Sequence, residues 1–413
     1  MQSEKTCIII GGSHAGINCA FALRKEGWVG KIIVFDSDPE LPYHRPPLSK
    51  TFLTGTDEIE KYALKSRDSY EKERITLQLG VVVESIDPER QVILLKNGKE
   101  ETYDKLVLAT GARPLIPEIS GIQHAANLFP LRTAGDVKNI KQALSTKQHQ
   151  RVVVIGAGYI GLEIAASIRK LGHTVTILEL EKRILSRVTS PEMSQFFHEL
   201  HRTNGVEIET GKEVTKIENH EMPHQVTCAD GSSYEADLVI LGVGIKINSE
   251  LAKAAGLEVK NGICVDATTK TSHDHIYAIG DCTWHRNPHY NNQYIRLESV
   301  QNAVDQAKVA AATICGKPTS YDTIPWFWSD QYDVKLQIVG LASGYDQLLI
   351  RRELNESTKF SIWYFKKDQL LAVDAINNPK AYVIGTKFIK ERQVVNKERL
   401  VDPNTALKPT FLI

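Results

Sequence analysis

Arg151-Val-Val-Val-Ile-Gly-Ala-Gly-Tyr-Ile-Gly161 is the stretch on which the fold turns. An apolar run enters a turn holding Gly156, Gly158 and Gly161, and a helical pattern opening with Tyr159 and Ile160 continues to about Leu171. A second apolar run, Val175-Thr-Ile-Leu178, closes on Glu179, 18 residues after Gly161. Strand, glycine turn, helix, strand and terminal acid in that order predict a βαβ unit that binds a dinucleotide. The glycines let the backbone approach a pyrophosphate, the helix N-terminus offers it unpaired N–H groups, and Glu179 can accept both hydroxyls of an adenosine ribose.

The pattern occurs a second time nearer the N-terminus. Cys7-Ile-Ile-Ile10 leads into Gly11-Gly12-Ser13-His14-Ala15-Gly16, a helical stretch ending at Gly27, and the run Lys31-Ile-Ile-Val-Phe-Asp36. Ser13 replaces the middle glycine; serine is small and its hydroxyl can donate to a phosphate, so the site is expected to be kept. His14 reads as a packing or hydrogen-bonding residue of the turn rather than an acid–base group. Two dinucleotide units need two dinucleotides, and the simplest pair is a resident flavin and a visiting nicotinamide, with hydride transfer as the reaction. Two further segments fit that pair: Leu106-Val-Leu-Ala109-Thr110-Gly111-Ala-Arg-Pro114, and Ile276-Tyr-Ala-Ile-Gly280-Asp281, whose acid at a strand end can reach a ribityl hydroxyl.

Outward from these units, 413 residues allow two or three domains. Fifty Lys plus Arg against fifty Asp plus Glu leave no basic excess to suggest a nucleic-acid partner, and no window of 18 apolar residues suggests a membrane span. The six cysteines are scattered, with no C-x-x-C pair and no metal-ligand spacing, so no metal is expected and a reducing, cytoplasmic setting is the default. Residues 37–63 contain no cysteine, and Cys7 and Cys19 fall in a strand and a helix where small buried hydrophobes belong, so electrons are not expected to pass through a thiol. Alternating stretches with Asn97-Gly98 and Asp230-Gly231 turns predict small antiparallel sheets. From Pro325 the texture changes to aromatic, alternating segments without a glycine fingerprint.

The fold expected is therefore α/β: two Rossmann-like dinucleotide-binding domains of the glutathione reductase type plus a C-terminal α+β domain. The first, for FAD, is expected from residues 1–112 and 245–321; the second, for NAD, from 113–244; and the third from 322–413. Glu179 and Glu181 oppose the 2'-phosphate of NADPH, so NADH is the expected donor, with Lys182 and Arg183 able to soften the preference.

The ordered set of Pro42-Tyr-His-Arg45-Pro-Pro-Leu-Ser-Lys50, the Leu106–Pro114 segment, Leu131-Arg132-Thr133, the Gly156–Gly161 turn, the Gly280-Asp281 segment, Arg296-Leu-Glu-Ser299-Val300 and Pro325-Trp-Phe-Trp328-Ser-Asp-Gln-Tyr332 spans nearly the whole chain. In it the sequence resembles the FAD-dependent NADH:ferredoxin reductase family of oxygenase systems, of the putidaredoxin reductase and rhodocoxin reductase type. The resemblance implies electron transfer from NADH through tightly bound FAD to a two-iron two-sulfur ferredoxin, and onward to a cytochrome monooxygenase or ring-hydroxylating dioxygenase. A direct monodehydroascorbate or quinone-type reductase, and a redox interaction protein like apoptosis-inducing factor, share part of the motif set.

By motif position the resemblance places Gly11, Gly12, Ser13, His14, Ala15, Gly16, Arg45, Ala109, Thr110, Gly111, Gly280 and Ser299 around the FAD. It puts Ser37 at a ribose-contacting position that is usually acidic, with Asp36 or Asp38 as substitutes, and Val83 near the adenine. Arg132 and Asp281 are expected to hold polar groups of the flavin and Val300 to cover its ring. Gly244 and the residues around Gly156–Gly161 are expected to bind the nicotinamide nucleotide. Lys50, Glu163 and Trp328 are expected at the reacting atoms, with Glu163 able to pair with Lys50. Trp326 and Trp328 face one side of a strand, so one of the two is expected to be structural. Lys308 and the Lys387, Lys390 and Arg392 group are candidates for a basic surface that meets an acidic ferredoxin.

Overall fold

The computed structural model describes the chain except for residues 1–4, 219–222, 355 and 357. Its frame is two parallel five-stranded sheets. The first runs in the order Ile276–Ala278, Lys105–Leu108, Thr6–Ile10, Lys31–Asp36, Ile75–Leu79. The second runs Val206–Thr210, Thr174–Glu179, Arg151–Ile155, Leu238–Leu241, Leu128–Pro130. Each glycine-turn strand is central, and the two repeats share one register: Ile10 lies opposite Phe35 and Ile155 opposite Leu178. Covered on both faces, the two glycine-turn strands are apolar after their first residue, and Ile8, Ile9 and Val154, with Ile177 on a neighbouring strand, are fully buried. Each such side chain contributes about 1.5–3 kcal/mol.

The helix His14–Glu26 ends at Gly27, whose φ of +104° closes the helix in the left-handed region. It packs along the helix Val300–Ile314, where Ala303, Ala307, Ala310 and Ala311 let the two approach closely. Between the sheets the chain crosses twice. The short strands Ala112–Pro114 and Ile245–Ile247 pair antiparallel at the crossing. Thr110 Oγ1 donates to the Asn248 carbonyl at 2.6 Å, and Asn248 Nδ2 donates back to the Thr110 carbonyl at 2.9 Å. The small antiparallel sheets occur where the turn residues put them, with strands Val83–Asp87, Val92–Leu95 and Glu100–Thr102 in one and Val214–Glu218, His224–Cys228 and Ser233–Ala236 in the other.

The C-terminal part is a five-stranded antiparallel sheet in the order Trp326–Gln331, Val334–Gly340, Gln369–Ile376, Phe360–Lys366, Gln347–Arg352, packed against the helix Pro379–Glu391. The strand Gln347–Arg352 and the helix carried no sequence signal that singled them out. This sheet does not stand alone: Leu336, Ile362 and Ile376 share a core with Ile164 and Phe197 of the second unit and with Leu48 and Phe52 beside the first. Among the described residues no helix is long and apolar enough to cross a membrane, and no group of three or more His, Cys, Asp or Glu could hold a metal ion.

Candidate functional site

Both glycine turns are built for close backbone approach. A Cβ at Gly11, where φ is +109°, would run into the Ala109 carbonyl oxygen, and one at Gly16 would run into the carbonyl oxygen of Gly11. Gly156 and Gly161 are crowded in the same way, the first by the Gly242 carbonyl and the second by the Gly156 carbonyl. At Gly158 a Cβ would meet nothing within 4 Å, so the outer side of that turn is open. Ser13 and Gly158 cap the two helices without any side-chain hydrogen bond to them, which leaves the first-turn N–H groups to a ligand. These are the features a bound pyrophosphate requires, and the residues present fit one dinucleotide at each turn.

The acids at the second strands superimpose in role. Glu179 accepts the Ala157 N–H at 2.6 Å and the Glu181 N–H at 2.9 Å. Asp36 accepts the Gly12 N–H at 2.6 Å and the Asp38 N–H at 2.9 Å. Asp36 therefore occupies in the first unit the place of Glu179 in the second, while Ser37 is exposed and corresponds to Leu180. Burial holds the Asp36 carboxyl above the usual range, against the lowering effect of those two N–H groups. Asp38 instead accepts the Tyr43 hydroxyl at 2.7 Å and lies 3.8 Å from Arg45. Arg45 also donates to Ser13 Oγ at 3.3 Å and to the Arg132 carbonyl at 2.6 Å, joining the Pro42–Lys50 segment to the turn.

His14 is buried with Nε2 unpartnered, and burial pushes its pKa down to about 3, so the ring is neutral. Ala15 lies under Gly280, whose added Cβ would come 3.0 Å from that of Ala15. Next to it, Asp281 pairs with Arg132 at 3.2 Å, and the Arg132 guanidinium stands 3.7 Å from the Cβ position of Gly111. Ser299 accepts the Asn302 N–H at 3.1 Å and so caps the helix that opens with Val300. Val83 is 8% exposed among Ile10, Phe35 and Leu95, so little of its side chain remains to meet an adenine.

The centre of the site is Glu163. Its side chain is 2% exposed; Oε2 accepts Lys50 Nζ at 2.5 Å and Ser49 Oγ at 2.6 Å, and Oε1 accepts Ser329 Oγ at 2.7 Å. Ser49 and Lys50 end the Pro42–Lys50 segment, Glu163 lies on the helix of the second glycine turn, and Ser329 belongs to the C-terminal sheet. Ser49 was quoted only as part of a motif, and the contact through Ser329 went unseen because it spans 166 positions of chain.

Around it, Tyr159 turns from the second glycine turn toward the C-terminal sheet. Its ring is 4.9 Å from that of Phe327, and its hydroxyl is buried without a partner. Ile160 beside it is 46% exposed, an open neighbour for a ligand. Trp328 is half-buried, 5.5 Å from Trp326, and Trp326 in turn packs edge-on against Tyr382. Gly244, at φ +113°, faces Arg187. Arg183 is tied to Ser194 Oγ at 2.6 Å and to the Ser186 carbonyl at 2.7 Å. Lys387, Lys390 and Arg392 are exposed at the end of the helix Pro379–Glu391, whereas Lys308 pairs with Asp305 at 2.9 Å on the helix Val300–Ile314. All six cysteines are free, and burial pushes the Cys19 thiol up to about 12 and raises those of Cys7 and Cys282.

Residues 5–307 match the family described as pyridine nucleotide-disulphide oxidoreductase, and residues 326–411 match the one described as reductase C-terminal. Putidaredoxin reductase of Pseudomonas putida is 41% identical over 413 residues, covering 99% of this chain and 97% of its own. Among solved structures, a chain of the covalent putidaredoxin reductase–putidaredoxin complex superimposes with a TM-score of 0.92 at 40% identity, over 98% of this chain and 97% of that one. A ferredoxin reductase from Rhodopseudomonas palustris superimposes with a TM-score of 0.94 at 38% identity, over 98% of this chain and 100% of that one.

Proposed function

The chain belongs to the pyridine nucleotide-disulphide oxidoreductase family, and from that premise we propose that it is a flavoprotein ferredoxin reductase. In this reading electrons pass from NADH, by way of FAD, to a two-iron two-sulfur ferredoxin that serves a cytochrome monooxygenase or a ring-hydroxylating dioxygenase. The observation that carries it is the Lys50–Glu163 pair, a charge pair of 2.5 Å joining the segment after the first dinucleotide unit to the helix of the second. Full-length similarity to ferredoxin reductases supports the choice of acceptor.

A bound flavin supplies the hydride-accepting and single-electron chemistry. The chain supplies the rest. The turn Gly11–Gly16 and the acid Asp36 bind the FAD pyrophosphate and ribose, and Arg132 with Asp281 hold the polar groups of the flavin. The turn Gly156–Gly161 with Glu179 binds NADH. Glu163 orients the Lys50 ammonium, and its three donors leave the carboxylate no need of water, so that a cation is fixed in a water-poor place where charge interactions are strong. With Cys7, Cys19 and Cys282 buried as thiols, electrons leave without a disulfide step.

The test is anaerobic stopped-flow mixing of the yellow protein with NADH, followed by an oxidised two-iron ferredoxin or a small quinone. Rapid bleaching by NADH and rapid, salt-sensitive reoxidation by the ferredoxin are expected. Reoxidation that is slow with ferredoxins but fast with the quinone overturns the assigned acceptor.

A further inference from the structure

We propose that Ser329, Gln331 and His201 are positioning residues: a one-way chain of hydrogen-bond donors that orients the Glu163 carboxylate from the side opposite Lys50. The inference rests on the reading of Glu163 and Lys50 as the hydride-transfer site. It follows from proton counting along three contacts. Glu163 Oε1 has no proton to give, so Ser329 Oγ, 2.7 Å away, donates to it. With its single proton spent there, Ser329 can only accept, and it does so from Gln331 Nε2 at 3.1 Å. That fixes the amide, whose Oε1 then lies 2.8 Å from His201 Nε2. An amide oxygen needs a donor, so His201 carries its proton on Nε2, and its Nδ1 is left buried with no partner.

The reverse order fails. If the Gln331 amide were turned over, its oxygen and Glu163 Oε1 would compete for the one Ser329 proton, leaving a buried acceptor empty at a cost of about 1–3 kcal/mol. Every dipole of the chain therefore points at Glu163. Three of its members are as buried as residues can be: Ser329 and His201 are 0% exposed and Gln331 1%. Buried polar chains are costly unless complete, and low dielectric makes each link polarise the next.

The elements explain why the chain can form. Phe327, Ser329 and Gln331 alternate along the strand Trp326–Gln331 and point the same way, Phe327 onto Tyr159 and Ser329 onto Glu163. Gln331 reaches the helix Pro191–Thr203, where His201 stands edge-on to Tyr332 with ring centres 5.2 Å apart. The C-terminal sheet thus supplies the two middle links between a histidine and a carboxylate that both belong to residues 151–203.

The test uses the flavin-loaded enzyme with 15N-labelled histidine, His201 being assigned as the resonance lost in His201→Gln. The wild type is expected to show His201 as a single neutral tautomer protonated on Nε2. In Ser329→Ala the Gln331 amide loses its acceptor and is free to turn. His201 is then expected to become a mixture of tautomers, and the rate at which NADH bleaches the flavin to fall about tenfold, with the NADH concentration for half-maximal rate unchanged. Ser329→Thr, which keeps the hydroxyl, is expected to restore both. Should Ser329→Ala not accumulate as a folded flavoprotein, Gln331→Met carries the same two readouts. A wild-type His201 protonated on Nδ1, or a Ser329→Ala enzyme with wild-type tautomer and rate, overturns the chain. Glu163→Gln separates this from the site reading: full speed in that variant counts against hydride transfer at Glu163, while the tautomer still judges the chain.

Discussion

Lys50 Nζ lies 2.5 Å from Glu163 Oε2, across 113 residues of sequence and between the two dinucleotide-binding units. Lys50 is 20% exposed in its side chain and Glu163 2%, so the pair is far drier on the carboxylate side. Removing one partner of such a pair leaves a buried charge, at a cost of about 3–5 kcal/mol. Lys50→Met is therefore expected to lower the urea midpoint and to slow flavin reduction by NADH. Glu163→Gln, which keeps the shape, is expected to slow reduction with the smaller loss of stability. A Lys50→Met enzyme reduced at the wild-type rate would remove the pair from the reaction.

Nucleotide preference is expected to follow from Glu179, which two backbone N–H groups hold at the end of the strand Thr174–Glu179, where the proposed site places the adenosine ribose. A 2'-phosphate at about 4 Å from it would meet a repulsion of roughly 1 kcal/mol in water and roughly 4 kcal/mol at an effective dielectric of 20. Arg183 is held by Ser194 and the Ser186 carbonyl, both neutral, so its charge persists and with that of Lys182 softens the preference without reversing it. NADH is expected to outperform NADPH at least fivefold in kcat/KM, and Glu179→Ala to narrow the gap. Equal efficiencies in the wild type would contradict the assignment.

Trp326 and Trp328 share a face yet differ in what they touch. Both are half-buried, but Trp326 packs on Tyr382 and against the C-terminal core, whereas Trp328 packs on Trp326 and Phe327. Trp326→Ala is expected to lower stability measurably, by less than the roughly 3–5 kcal/mol of a fully buried tryptophan. Trp328→Ala is expected to leave the unfolding curve nearly in place while slowing ferredoxin reduction or weakening NADH binding. Unchanged steady-state constants for both substrates would make Trp328 a packing residue.

Acid should destabilise the fold through two histidines outside the glycine turns. Burial lowers His201 and His285 from 6.5 to about 4, so below pH 6.5 the unfolded chain takes up protons that the folded one refuses, and stability falls as pH drops toward 4. Asp374 opposes them. Buried beneath Tyr364 and Thr189, it is raised from 3.8 to about 6, so the folded chain binds its proton first and gains as pH falls from 6 to 4. Two protons against one leave these groups a net loss of about 1.4 kcal/mol per pH unit near pH 5. Urea midpoints between pH 8 and 4.5 measure it. Asp374→Asn is expected to steepen the acid loss and His201→Gln to flatten it; no change in slope for either would refute the assignment.

What could be read from the chain and what could not divide along a physical line. Glycine turns, their terminal acids and the Asn97-Gly98 and Asp230-Gly231 hairpins are local, since each depends on residues within about 30 positions. For the first acid the sequence left Asp36, Ser37 and Asp38 open, because three adjacent residues share the end of one strand; the hydrogen bond from Gly12 singles out Asp36 as the counterpart of Glu179. The strand Gln347–Arg352 escaped notice because Arg351 interrupts its pattern, although its guanidinium is buried against Glu353 and the carbonyls of Leu400, Asp402 and Thr405. Ser329, Gln331 and His201 looked like ordinary polar residues, because nothing local reveals that three distant segments close on one carboxylate.

The side-by-side crossing at Ala112–Pro114 and Ile245–Ile247 bears on how such a chain can be remade. Because the intervening segment leaves and returns through neighbouring backbone, its two ends are already splinted to each other, and the ring of residues between them is a cassette with one common stem. Grafting a foreign nucleotide unit onto that stem would preserve both junctions. The obstacle would be the far end, where Glu163 and His201 must still find Lys50 and Gln331.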